Sequence, residues 1–519
     1  MGIWNFYFLA KLYLHLRGHI AFHLVPNGLF FAYLMISGER LARVRPVLAR
    51  IRPLLGLPIA LALLWHDAYV PPFTMVFSFM TDSATRPTPG YLSSFLLGYW
   101  NPAAAAALAL ILAVAAWCAK RKIRLAPVTL ALMLAASLKS MSRTVDVPAA
   151  QEDLFYLMEE RQRVPFKQPS AGAKPFDIII LHVCSISWDD LKRMGMESDL
   201  FLSNFDLLLT RFNSVASYSN PAAIRLLRGA CGQSPHDALY REAPAGCYLL
   251  EELRRQGYAT YTLFNHDGSY SDMAKSLAEL GKADPPFPLK NPPVVAKNFD
   301  GASIFNDYAV LEEWWRARQA GGAPRAALYY NSISLHDGAH ALSDGSWWKR
   351  ERCEKYRGFI QRLFADLSKF IPLVQQSGRD ALIVFIPEHG AALAGSRIQA
   401  KGLRDIPLPD ITLVPVGIRV VARDASAAVA APRRVDRPLS YRALAYLFSQ
   451  ALQGPGLSRE KLLSARSIAS IPQTAFLAEN QYARVAAHGG RYLYQGKDKT
   501  WMDISAEAGS ESAGPEAPR

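Results

Sequence analysis

Residues 175–191 read PFDIIILHVCSISWDDL. The apolar, β-branched run from Phe176 to Val183 stops at Cys184, where the chain turns polar. A short apolar run closed by turn residues reads as a buried strand. Two more runs end in the same way. ALIVFIP (381–387) meets Glu388-His389-Gly390, and AALYYNSISLH (326–336) ends at His336 before Asp337-Gly338. Strands that deliver polar groups at their C-terminal ends are how an α/β sheet builds a site.

Around these runs, strand-like and helix-like patterns alternate. YATYTLFNH (258–266) and VPVGIRVVA (414–422) add strands. LEELRRQG (250–257), SDMAKSLAELG (271–281), DYAVLEEWWRARQ (307–319), the long run 353–378 and SYRALAYLFSQAL (440–452) read as helices. Such alternation predicts a mostly parallel central sheet with helices on both faces. This α/β domain is expected over 176–503, behind a polar linker (146–175) with one helix at about 150–163. The polar tail 504–519 is expected to be disordered.

The first 145 residues read differently. Half of the 519 residues are apolar and mean hydropathy is +0.04. Apolar stretches recur at 4–16, 23–37, 53–70, 95–119 and 125–141, which predicts four or five membrane-spanning helices. No signal-peptide cleavage pattern is visible, so they are expected to stay as anchors. Residues 1–150 hold 14 Lys and Arg against 4 Asp and Glu, most of the net charge of +14. The basic balance therefore reflects membrane flanks, and no nucleic-acid motif accompanies it. Arg40, Arg43, Arg45, Arg50 and Arg52 mark one cytoplasmic loop, and Lys120, Arg121, Lys122 and Arg124 another. The positive-inside rule then puts loop 71–90, with only Asp82 and Arg86, outside. The α/β domain is exported too, which in a bacterium means the periplasm beside the inner membrane.

Cys184, Ser219, Glu388 and His389 carry the candidate chemistry. Thiolate, carboxylate and imidazole are zinc ligands. For Cys184 the bland alternative is a small buried hydrophobe, but its place at a strand end argues for ligation. Ser219 opens a helical run, SNPAAIRLL; its bland reading is an ordinary N-cap. The functional reading makes its oxygen a metal-bound nucleophile at a helix N-terminus suited to phosphate. His336 is a candidate general acid or phosphate contact, and Tyr218 and Arg404 are candidate substrate or phosphate holders. His340 reads as a bystander. Of the five cysteines, Cys118 reads as inert in an apolar helix and Cys353 as a bystander. Cys231 and Cys247, 16 residues apart in the exported part, have a disulfide as their leading reading.

These motifs resemble the alkaline-phosphatase/sulfatase superfamily. They are closest to its membrane-anchored phosphoethanolamine transferases of bacterial cellulose biosynthesis. The matching stretches are WNFYFLAKLYL, PFDIIILHVCSISWDDL, SYSNPAAIRLLRGACGQ, SLHDG and PEHGAALAGSRIQAKGLRDIP; they fall in both the membrane part and the α/β domain, so the resemblance covers nearly the whole chain. The resemblance implies Ser219 as nucleophile, completing a Zn2+ shell of Cys184, Glu388 and His389. Tyr218, His336 and Arg404 would support substrate and phosphate, and Cys231–Cys247 would be a family disulfide. It further implies a phosphatidylethanolamine donor, glucosyl 6-hydroxyls of cellulose as acceptor, a phospho-serine intermediate, and contact with cellulose synthase subunits. A sulfatase needs Arg in C/S-x-P-x-R, and Ala223 stands there. Another phospho-transferase or phosphatase of the superfamily remains an alternative, as does a non-catalytic accessory subunit of a cellulose synthase.

Overall fold

A computed structural model describes residues 4–36, 46–81, 101–141, 144–145, 147, 149–166, 169, 172–336, 339–341, 352–422 and 431–507. It divides into two compact units. The first is Met1–Ser78, Leu92–Val145 and Ala394–Leu403; the second is Phe79–Tyr91, Asp146–Leu393 and Arg404–Arg519.

The N-terminal region is helical: α1 (Trp4–Leu16), α2 (Leu24–Met35), α3 (Pro46–Asp67), α4 (Phe73–Thr81), α5 (Pro102–Lys120) and α6 (Ala126–Met141). Phe8, Leu12, Phe22, Phe30, Phe31, Ala60 and Met133 form its apolar centre. Among the described residues one helix, α5, is long and apolar enough to cross a bilayer, with 19 residues. It starts where Asn101 accepts a hydrogen bond from the Ala104 amide and Pro102 needs no donor partner. The apolar parts of α2, α3 and α6 (Leu24–Met35, Leu55–Asp67 and Ala126–Leu138) are shorter. Arg50 and Arg52, read above as loop residues, fall inside α3, because the helix begins at Pro46. Part of the outer loop is itself helical, as α4. Arg40, Arg43, Arg45, Asp82 and Arg86 lie outside the described residues.

The second unit is built on a seven-stranded sheet. Its strands are β1 (Asp177–Val183), β2 (Leu207–Asn213), β3 (Ala259–Phe264), β4 (Ala326–Ser332), β5 (Ala381–Pro387), β6 (Leu413–Val421) and β7 (Arg433–Val435). The order is β7-β2-β6-β5-β1-β4-β3. β1 pairs in parallel with β4 and β5, β3 with β4, and β7 with β2. β6 runs antiparallel to both of its neighbours. The sheet is therefore mixed, with six strands in one sense and one against them. LLLTRFN (β2) and the antiparallel meander Leu477–Glu479, Arg484–His488, Arg491–Gln495 and Trp501–Asp503 were not legible in the sequence.

Strand β1 shows why the core forms. All seven of its residues are buried, and side chains alternate between the two faces. Ile178 and Ile180 join one apolar cluster, together with Leu250, Leu253, Leu277, Leu444 and Leu447. Those come from helices at Leu249–Arg255, Met273–Gly281 and Tyr441–Leu452. Ile179, Leu181 and Val183 join the other, with Val310, Trp314, Trp315, Ile360 and Leu367 from helices at Asp307–Ala320 and Arg352–Gln376. Each large aliphatic side chain so buried contributes about 1.5–3 kcal/mol.

The N-terminal edge of the sheet is closed by a charge. Asp177, fully buried at the start of β1, accepts from Arg318 Nη2 (2.9 Å), Arg379 Nε (3.0 Å) and the Ala326 amide (2.8 Å). Arg318 is itself 2% exposed. Removing one member of a buried ion pair strands the other without solvent or partner. Asp177→Ala is therefore expected to lower unfolding stability by about 3–5 kcal/mol. Chemical denaturation of the second unit's signal checks this, and an unchanged midpoint would contradict it.

Candidate active site

Register brings the polar strand ends together. Val183 of β1 lies opposite Ser332 of β4 and Pro387 of β5. The next residues are tied across the sheet. The Cys184 amide donates to Ser332 O (2.9 Å) and the Glu388 amide to Val183 O (2.8 Å). The chain then turns sharply: Ser185 has φ +61° and Val215, on the way to Ser219, has φ +66°. A left-handed β-branched residue is uncommon and strained, and such strain clusters at functional sites. Gly390 lets the β5 end approach the β1 end. A Cβ there would lie 2.6 Å from Ser187 Oγ and 2.8 Å from Asp190 Oδ2. The same Asp190 carboxylate accepts from the Ser187 and Ala391 amides, so it joins the two turns.

Ser219 is the first residue of helix Ser219–Leu227, whose cap position is Tyr218 (φ −133°, ψ 147°). The N-cap reading of Ser219 is thereby replaced: its hydroxyl serves no cap and lies 3.4 Å from His389 Nε2. His389 Nδ1 sits 2.9 Å from Gly390 O and so carries the proton it donates there. That tautomer leaves the Nε2 lone pair facing Ser219. Arg404 Nη1, 3.5 Å from Nδ1, is a charge contact rather than a second donor to it. Burial pushes the His389 pKa far below the usual range, with the Arg404 charge acting in the same direction, so the ring is neutral.

Glu388 is fully buried. Oε1 accepts from Asn331 Nδ2 (2.6 Å), while Oε2, 3.8 Å from His389 Nε2, has no hydrogen-bond partner among the described residues. Burial pushes its pKa up to about 7, against the Ser219 hydroxyl, Asn331 and the Arg404 charge, which hold it down. Cys184 is buried and not in a disulfide. Burial, then the Glu388 charge, pushes its thiol up, while Ser185, the Leu335 amide and Arg404 oppose that.

The remaining candidates surround this group. His336, 9% exposed, shares a 2.9 Å hydrogen bond between Nδ1 and Asn298 Oδ1, and its ring packs with Tyr270 and Phe299. Tyr218 donates to Asp405 Oδ1 (2.7 Å), and burial with the Asp405 charge keeps its phenol protonated. Arg404 donates to Ser185 Oγ (3.2 Å) and lies 5.8 Å from the Tyr218 ring centre. His340 belongs to a short strand, His340–Ala341, and its side chain lies outside the described residues. Cys231 and Cys247 are joined by a disulfide just beyond the Ser219 helix. The side chain of Cys353 lies outside the described residues.

Several residues of the site were missed in the sequence. Asn331 orients Glu388, and Asn480 donates to Ser217 Oγ and to the Arg404 and Asp405 carbonyls. His182 sits 3.8 Å from Glu388 Oε1 with Nε2 unpartnered among the described residues, and burial brings its pKa down to about 3. Polar residues inside apolar runs (His182 in FDIIILHV, Asn331 in AALYYNS) were the available signal. Asn480 had none.

The donor types fit a zinc-class cation: a carboxylate oxygen without a partner, an imidazole with its lone pair turned inward, and a buried thiol. Among the described residues, the His, Cys, Asp or Glu trio that closes to within 4.8 Å is a different one, His23, His66 and Asp67. Cys184, Glu388 and His389 are neighbours without closing that far.

Family models match most of the chain. One described as the cellulose biosynthesis protein BcsG C-terminal domain covers residues 135–501, and its N-terminal counterpart covers 4–138. The chain is 31% identical to the cellulose biosynthesis protein BcsG of Salmonella typhimurium over 96% of its own length and 95% of that protein. It is 31% identical to that of Escherichia coli, over 93% and 92%. Among solved structures it is similar to an alkaline phosphatase superfamily protein from Vibrio parahaemolyticus (12% identity, TM-score 0.47, 68% of this chain and 87% of that one). It is also similar to the C-terminal periplasmic domain of EcEptC from Escherichia coli in complex with Zn (14%, TM-score 0.44, 68% and 98%).

Because the folded Glu388 holds its proton to about pH 7 and an unfolded one releases it near 4.5, the group costs metal-free protein stability as pH rises through that window. Glu388→Gln is expected to stabilise chelator-treated protein at pH 8 and to make no difference below about pH 4.5. Melting curves across pH check this; a difference of constant size at every pH would refute it.

Proposed function

The chain belongs to the BcsG family of cellulose biosynthesis proteins, and from that premise we propose that it transfers phosphoethanolamine from phosphatidylethanolamine to glucosyl 6-hydroxyls of cellulose. One observation carries the reading. A serine hydroxyl at a helix N-terminus lies 3.4 Å from the lone-pair nitrogen of His389, beside a buried carboxylate with one oxygen unused. A hydroxyl nucleophile set among metal-type donors is what phosphoryl transfer through a covalent intermediate requires.

Ser219 Oγ attacks the phosphorus of the donor. Ser219 gives its proton to solvent, the Oγ–P bond forms, the P–O bond to glycerol breaks, and the glycerol oxygen takes a proton as diacylglycerol leaves. His336, its Nδ1 turned to Asn298, is the candidate donor of that proton. In the second half-reaction the acceptor hydroxyl attacks phospho-Ser219 and gives its proton to His336, the acceptor O–P bond forms, the Oγ–P bond breaks, and Ser219 regains a proton from solvent. Arg404 and the amides opening the Ser219 helix face the phosphate charge, which helix N-termini and guanidinium groups favour. Tyr218, held by Asp405, lies against the Arg404 guanidinium beside Ser219. Cys184, Glu388 and His389 would hold Zn2+, which lowers the pKa of a coordinated hydroxyl and stabilises charge on phosphate. His389 is already neutral and in the needed tautomer, and Asn331 orients the carboxylate.

The helical N-terminal region anchors the enzyme in the inner membrane through several spans. The catalytic unit faces the periplasm, within reach of lipid head groups and of cellulose synthase subunits. The strongly apolar α5 and the excess of Lys and Arg over residues 1–150 support this.

Ser219→Ala is expected to lower transfer by roughly 10^4-fold or more while leaving the melting temperature unchanged. Wild-type protein incubated with phosphatidylethanolamine should carry a phosphoethanolamine mass increment on the peptide containing Ser219. Transfer at the wild-type rate by Ser219→Ala, or turnover with no adduct under quenching, would sink the mechanism.

A further inference from the structure

The first unit holds a polar knot among its apolar helices. Asp67, at the end of α3, is 1% exposed. Its Oδ2 accepts from Lys11 Nζ of α1 (2.7 Å) and from Asn27 Nδ2 of α2 (2.7 Å). Lys11, also 1% exposed, donates further to Asn27 Oδ1 (2.7 Å) and Leu63 O (3.0 Å). One carboxylate edge is thus fully engaged, and its charge is balanced by the ammonium.

The other edge is nevertheless approached twice. His23 Nδ1 and His66 Nδ1 both lie 2.8 Å from Asp67 Oδ1, with the two rings 4.7 Å apart and nearly perpendicular. The three candidate ligand atoms all lie within 4.8 Å of one another. The His66 side chain is 53% exposed and that of His23 is 29% exposed. Both rings thus aim the same nitrogen at one buried oxygen from two different elements, the start of α2 and the end of α3. The backbone is set around them as well: the Ala21 amide donates to Asp67 O (2.8 Å), which pins the α1–α2 turn to the end of α3.

We propose that His23, His66 and Asp67 form a metal site for a zinc-class divalent cation, separate from the Ser219 site. Two imidazole nitrogens and one carboxylate oxygen are the donor set of a zinc site that keeps an open position. Lys11 and Asn27, on the far oxygen, orient the ligating carboxylate, as outer partners of metal ligands do. Cation and ammonium face opposite edges of the carboxylate. The open position suits a water or an anionic oxygen. On binding, each imidazole ligates through Nδ1 and carries its single proton on Nε2, and Asp67 ligates as the carboxylate.

The test is elemental analysis of the full-length chain purified in detergent and equilibrated with buffered Zn2+. A Glu388→Gln/His389→Gln variant isolates this site from the Ser219 site. It is expected to retain one zinc per chain, and adding His23→Gln and His66→Gln should remove it. Glutamine keeps a donor for Asp67, so metal-free melting should not change. Should that variant fold poorly, His66→Asn alone, at the more exposed position, is expected to give the same loss. In Co2+-loaded protein the ligand-field band of a four-coordinate site should vanish with these substitutions. Zinc content unaffected by His23 and His66 substitution, or no zinc in the Glu388→Gln/His389→Gln variant, overturns the proposal. Failure of the Ser219-site reading would show separately, as no difference in zinc between wild type and that variant.

Discussion

A buried carboxylate with only one satisfied oxygen is the constraint on which the second unit turns. Glu388 is out of solvent, Asn331 holds Oε1, and Oε2 has no hydrogen bond of normal geometry among the described residues, although the Ser219 hydroxyl is near enough to the carboxylate to lower its pKa. Burying such a charge without full compensation costs several kcal/mol. The fold tolerates that cost at one point, where three parallel strands end side by side and a helix N-terminus arrives from the flank. Around it stand a neutral imidazole, a protonated thiol and one guanidinium within electrostatic reach.

The two ends of the sheet resolve their charges differently. At the N-terminal end Asp177 is saturated by two arginines and an amide, and at β2 Asp206 is held by Arg419 and Arg459. These groups lock the sheet and leave nothing over for a ligand. At the C-terminal end of β1, β4 and β5 the polar atoms are only partly paired, and the backbone bends through left-handed residues at Ser185 and Val215. Rigidity at one end supports incomplete pairing at the other, which is the arrangement a preorganised site needs. The two positioning groups Asp190 and Asn480 extend this support. Asp190 holds the β1 and β5 turns together, and Asn480 reaches in from the C-terminal meander to the carbonyls of Arg404 and Asp405.

How much of this was legible depends on sequence distance. Each strand of the site shows in its own apolar run, and its reactive end shows as the residue where that run breaks: Cys184, His336, Glu388. Strand β2 was hidden because Thr210 and Arg211 interrupt its apolar run, LLLTRFN. The orientation of β6 was hidden because hydrophobic pattern carries burial and not direction. In the N-terminal region the pattern located the apolar stretches, yet helix ends moved. Arg50 and Arg52 continue α3, since Pro46 at its start suits a helix opening better than the arginines suit a break.

The amino-acid sequence by itself determined the alternation of strands and helices, the apolar N-terminal third, and the residue types able to bind metal or act as nucleophile. Period and composition are local properties, and local order is enough to read them. Only the tertiary structure decided which of those residues meet. It turned Ser219 out of a capping role toward His389, and it set the His389 tautomer through Gly390 O. It placed Asn331 on Glu388 across 57 residues of chain, and it gathered Lys11, His23, Asn27, His66 and Asp67 from three helices into one knot. Those meetings depend on strand register and helix packing, which are fixed by side chains far apart in the chain, and no local pattern contains them.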